Sequence, residues 1–74
     1  MTLLKELLEG QELNEREVET LQYAADGYTA TETGLKIFLS EETIKSYRKR
    51  IIAKFGAKNL AECIAIGMRR GLIK

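Results

Sequence analysis

Three times in 74 residues the chain places asparagine or threonine three positions ahead of a glutamate: Asn14 and Glu17, Thr29 and Glu32, Asn59 and Glu62. Each pair is a helix-starting signature, because the first turn of a helix leaves backbone N–H groups without partners. The short polar side chain accepts from one of them, and the glutamate reaches back to the amide of the capping residue. Ser40 opens a fourth segment without a returning glutamate, but Glu41 and Glu42 place negative charge at the positive end of a helix dipole. Leu13 with Val18, and Leu39 with Ile44, have the spacing of hydrophobic staples. Gly27, Gly56 and Gly71 stand where helices should stop in a left-handed conformation. This punctuation predicts helices near 15–26, 30–37, 41–55 and 60–70. No segment alternates as a strand would, so the fold class is all-α. A short additional N-terminal helix over Thr2–Glu9 would carry Leu3, Leu4, Leu7 and Leu8 on one side. The organisation expected is an extension over 1–12 followed by one domain over 13–74, since a chain this short has no room for a second.

The connections are as informative as the helices. Only Phe38, Leu39 and the cap Ser40 separate the second of the four segments from the third, and so short a link makes two helices cross steeply, as in a helix-turn-helix. On the third segment Ile44, Tyr47, Ile51, Ile52 and Phe55 fall on one apolar stripe facing the core. At about 100° per residue, Glu42, Lys45, Ser46, Lys49 and Ala53 point the other way, and Thr43, Arg50 and Lys54 lie along one flank. The exposed face of the longest helix is therefore basic and rich in donors. It suits the DNA major groove, where lysine donates to guanine O6 and N7.

Charge is divided along the chain. Residues 1–42 carry three bases against ten acids, a net of −7, and residues 43–74 carry nine bases against Glu62 alone, a net of +8. From Thr43 to Ala61 there is no acid. A segregated basic surface is what a polyanion requires, because lysine and arginine displace its condensed counterions. Histidine is absent and Cys63 is the single cysteine, which removes the Ser-His-Asp triad, the Cys-His pair and any zinc site together. No nucleophile–base pair or phosphate-cradling loop remains, so the chain does not read as an enzyme and implies no cofactor, metal or small-molecule ligand. The lone cysteine fits a reducing cytoplasm, and its role is that of a small apolar filler. No apolar run approaches a membrane span, and no signal peptide opens the chain.

The stretch Leu13 to Ile73 resembles the LuxR-type helix-turn-helix domain, the DNA-binding module of many bacterial regulators. The matching elements are Leu13-x-x-Arg16-Glu17-x-Glu19-x-Leu21, Ala25-x-Gly27-x-Thr29, Glu32, Ser40-x-x-Thr43-Ile44-Lys45, Ile51-x-x-Lys54-Phe55-Gly56-Ala57-x-Asn59, and Glu62 with Gly71-Leu72-Ile73. The match runs without gaps over 61 of the 74 residues. The resemblance implies four helices, the third entering the major groove of double-stranded DNA and the fourth making a homodimer. Carried over by position, Lys45, Ser46 and Lys49 approach base edges, while Thr43, Tyr47 and Lys54 contact phosphates. Arg50, on the same flank, joins the phosphate set. In the last helix Leu60, Ile64 and Gly67 would face the core, leaving Ala65, Ile66 and Arg69 for a subunit contact. The family domain usually follows a receiver or sensor domain, and this chain reads as a stand-alone member, similar in size to short regulators of spore formation and of some phages.

The departures from the family pattern set further expectations. Thr31 replaces a frequent lysine and would forfeit a phosphate contact. Thr33 and Gly34 stand for a usual Ile-Ala pair, and glycine inside a helix costs about 1 kcal/mol against alanine, so the second of the four helices should be soft. Leu60 replaces an arginine common after Asn59. Tyr47 replaces a common histidine, and its phenol can still donate to phosphate. Arg48 falls on the apolar stripe, where the family carries an aliphatic residue. It must snorkel out or find a carboxylate, with Glu17 or Glu19 as the candidates. Arg16, Glu17 and Glu19 otherwise read as a structural ion-pair and capping network. The expected function is a DNA-binding transcriptional regulator. The alternative is a protein-interaction module that binds or heterodimerises with another regulator and modulates it without reading DNA itself.

Overall fold

The computed structural model describes residues 12–74; the N-terminal leucine stripe and its expected helix lie outside them. Four helices follow, α1 (Glu15–Ala25), α2 (Ala30–Ile37), α3 (Glu41–Phe55) and α4 (Leu60–Arg69), with no strand among the described residues. The helix starts follow the local chemistry. Asn14 accepts from the Glu17 amide at 2.9 Å while Glu17 accepts from the Asn14 amide at 2.9 Å, and Thr29 and Glu32 repeat the exchange at 3.1 and 2.9 Å. The Thr29 backbone N–H first, and the Thr29 side chain second, hold the Glu32 carboxyl below its ordinary range. The third box closes differently. Asn59 accepts from the Glu62 amide at 2.9 Å, but Glu62 accepts from Lys58, one residue before the cap, at 2.8 Å. Asn59 is more extended than the other caps, with φ −162° against −81° and −75°, and that rotation leaves the neighbouring amide within reach.

Helix α3 is the spine of the fold: it packs on all three other helices, and among the described residues α2 and α4 do not meet. Ile44 and Ile51 of its stripe are fully buried. Ile51 joins Leu21, Cys63 and Ile73 in the core cluster, fringed by Leu13, Val18, Ile52, Phe55, Leu60 and Ile64. Burial of this apolar surface is the main stabilising term in so small a domain. Gly67 is buried as expected of the core side of α4, and past it Gly71 turns the chain at φ 72° so that Ile73 folds back underneath. The Gln22 side-chain amide then clamps the last residue, donating to the Lys74 carbonyl at 3.2 Å and accepting from its N–H at 2.9 Å.

Cys63 is fully buried, and burial, with the Glu62 charge second, raises its thiol pKa above the ordinary value. The thiolate is the reactive form. An aromatic disulfide reagent at pH 8 should therefore modify the folded protein only at the rate at which the core opens, and within the mixing time in urea. Equal rates in both conditions would contradict the packing described.

Candidate nucleic-acid interface

The turn that orients α3 is set by Phe38, Gly34, Arg16 and Ser40. Phe38 ends α2 in the left-handed conformation, φ 59° and ψ 43°, where glycine is usual. Its ring, 92% exposed, packs on nothing that would explain the choice. The Gly34 carbonyl accepts from both the Phe38 and the Leu39 N–H groups, the latter at 2.9 Å. A Cβ on Gly34 would run into the Leu39 carbonyl oxygen, so the linking turn lies closer on α2 than a larger residue allows. Gly34 is thus a packing contact as well as a break in the helix propensity of α2. Arg16 of α1 donates to the Ile37 carbonyl at 3.3 Å, which ties the end of α2 to the domain. Ser40 accepts from the Thr43 N–H at 3.1 Å and shares a 2.8 Å hydrogen bond with the Thr43 hydroxyl.

Beyond this turn, α3 presents Glu42, Lys45, Ser46, Lys49 and Arg50, all exposed and on the side away from the core. Lys45 lies 2.9 Å from Glu41 and 3.8 Å from Glu42. Glu41 also accepts from the Thr31 hydroxyl of α2, so the residue that replaces a family lysine is spent on a contact between helices. That bond first, and Lys45 second, hold the Glu41 carboxyl below its usual range, and Glu41 holds the Lys45 ammonium above its own. Arg50 lies over the half-buried Tyr47 ring, 5.6 Å from its centroid.

Lys54, expected at a phosphate, is engaged within the domain. Its side chain is only 26% exposed, and its ammonium sits 2.7 Å from Glu17 Oε1, whose side chain is 0% exposed, and 3.2 Å from the Glu12 carbonyl. This pair spans 37 residues, and no local pattern in the sequence announces it. It also settles Arg48. With Glu17 taken by Lys54 and Glu19 by Arg16 at 3.9 Å, neither expected carboxylate meets Arg48. Its guanidinium donates instead to the Tyr28 carbonyl at 3.0 Å, and its Nε is buried without a partner. On α4, Ala65 and Ile66 are half-buried and Arg69 is exposed. Met68 and Leu72 nearby add exposed apolar surface that sequence periodicity had not singled out. Among the described residues no helix is long and apolar enough to cross a membrane.

The family described as bacterial regulatory proteins, luxR family, matches residues 3–66. A putative transcriptional regulator of Pseudomonas aeruginosa is 40% identical over 63 residues, which is 85% of this chain and 30% of the relative. The uncharacterised transcriptional regulatory protein YvfU of Bacillus subtilis is 39% identical over 61 residues, 82% of this chain and 30% of the relative. The oxygen regulatory protein NreC of Staphylococcus aureus is 31% identical over 62 residues, 84% of this chain and 29% of the relative. The chain thus spans less than a third of the length of these relatives. The solved structure of the transcription factor GerE superposes with a TM-score of 0.82 at 24% identity, covering 84% of this chain and 92% of that one, a likeness of fold.

Proposed function

The chain belongs to the luxR family of bacterial regulatory proteins, and from that premise we propose that it is a cytoplasmic transcriptional regulator that reads duplex DNA with α3 as a homodimer. Lys45, Ser46 and Lys49 meet base edges, and Thr43, Tyr47 and Arg50 meet phosphates. Lys54 supports the interface from inside through Glu17. The observation that carries this reading is the exposed face of α3, acid-free from Thr43 onward and braced by all three other helices. A helix held rigidly with cations outward fits the major groove, and two copies joined through Ala65, Ile66 and Arg69 would address grooves about 34 Å apart. The mechanism is binding and recruitment, with no bond made or broken.

Fluorescence anisotropy on generic duplex DNA at about 50 and 200 mM salt tests it. Affinity should fall steeply with salt. Lys49→Ala should relax base preference at one position by about 1–3 kcal/mol, whereas Arg50→Ala should weaken all sequences alike and lower the salt slope by about one. Absence of binding at low salt by the folded protein would overturn the reading. It would favour the alternative of a module that binds or heterodimerises with another regulator, for which the exposed Met68 and Leu72 speak.

A further inference from the structure

The leading turn of α3 carries two carboxylates toward the surface on which the DNA reading depends, and the structure treats them differently. Glu41 is engaged twice, by the Thr31 hydroxyl across the helix crossing and by Lys45 at 2.9 Å. The Glu42 side chain is 85% exposed, and its one ion pair among the described residues is with the Lys45 ammonium, at 3.8 Å. Both acids gain from the positive end of the helix dipole. Against a polyanion, however, a free carboxylate on the approaching turn is repelled by phosphate wherever it finds no donor. A donor exists in the major groove: cytosine offers N4–H there, beside the O6 and N7 acceptors of the guanine it pairs with. A carboxylate and an ammonium 3.8 Å apart present the complementary pattern, acceptor beside donor.

We propose that Glu42 and Lys45 act as one reading unit that selects a G·C base pair, with Glu42 accepting from cytosine and Lys45 donating to guanine. Glu41, anchored by Thr31, is the positioning residue that keeps Lys45 beside Glu42. The inference rests on the DNA reading above and deepens it. It assigns Glu42 the role of weighting sequences: adenine N6–H can also meet its carboxylate, but only a G·C pair sets a donor beside both O6 and N7, so over other pairs Glu42 and Lys45 are not both fully partnered and binding weakens.

The test is selection from a randomised duplex library followed by sequencing, with thermal unfolding of each variant alongside. The wild-type protein should enrich a site with an invariant C·G or G·C pair in each half. Glu42→Ala should lose preference at that position about 5- to 10-fold while keeping it elsewhere, and should bind unrelated DNA more tightly. Glu42→Gln should move the preferred base toward adenine, because an amide can both donate to N7 and accept from N6–H. Glu41→Gln should blur the guanine preference through Lys45 without shifting it to another base. Unchanged preference at every position, with only a lower unfolding temperature in Glu42→Ala, would show the residue serving the helix dipole alone and would overturn the proposal. Failure of the wild-type protein to enrich any sequence would overturn the DNA reading itself, and is seen before any variant is made.

Discussion

Lys54→Met should cost the domain about 3–5 kcal/mol, the loss found when one partner of a buried ion pair is removed. The reason lies in what remains. Glu17 is fully buried; its Oε1 accepts from Lys54 at 2.7 Å and from the Asn14 N–H at 2.9 Å, and its Oε2 is buried with no partner. Without the ammonium, a carboxylate held at the start of α1 has one backbone donor left and no access to water. A domain of this size has about 3–5 kcal/mol in hand, so the variant should be largely unfolded at 37 °C. Urea denaturation followed by circular dichroism measures the loss. Adding Glu17→Gln to Lys54→Met should restore at least half of it, because the neutral amide still accepts from Asn14 and no longer carries an unpaired charge. A cost below about 1 kcal/mol would mean that the pair behaves like a solvated surface bridge. The consequence for function is practical. Lys54→Met should lose DNA binding through unfolding, so a binding assay on this variant needs a folding measurement beside it before any loss is assigned to a phosphate contact.

The case of Lys54 shows where the sequence stops being legible. The helix starts could be read because each is written within three or four residues: Asn14 with Glu17, Thr29 with Glu32, Ser40 with Thr43. The stripe of α3 could be read for the same reason, since a helix fixes the angles among its own residues. Those angles put Lys54 on a flank beside Thr43 and Arg50, but they say nothing of how α1 closes over that flank. The Glu17 pairing, the Thr31 bond to Glu41 and the Arg48 bond to the Tyr28 carbonyl all join different segments. The last of these has no signature at all, because its acceptor is backbone. The left-handed Phe38 escaped for a related reason: glycine marks such a turn in sequence, and phenylalanine does not.

Gly34→Ala should destabilise the protein by about 2 kcal/mol, although helix propensity alone forecasts a gain of about 1 kcal/mol. The opposing force is steric. The added methyl would meet the Leu39 carbonyl oxygen, a backbone atom that cannot turn aside as a side-chain tip can. Gly67→Ala supplies the comparison, because its Cβ would meet Leu21 Cδ2 at 2.9 Å and Ile73 Cγ1 at 3.1 Å, the movable parts of two side chains. The second substitution should therefore cost less than the first, and thermal unfolding of both variants decides the order. The effect at Gly34 should also reach the interface. Relieving the overlap requires Leu39 and Ser40 to move outward, and Ser40 is the cap from which α3 starts. At a temperature where Gly34→Ala is fully folded, its affinity for DNA should still be below that of the wild type, while Gly67→Ala should bind normally. The family usually carries alanine where this chain has Gly34, so a variant that is more stable and binds equally well would mean that α2 and α3 open freely at their crossing. In that event the short link through Phe38 and Leu39, rather than the close approach at Gly34, would be what aims α3.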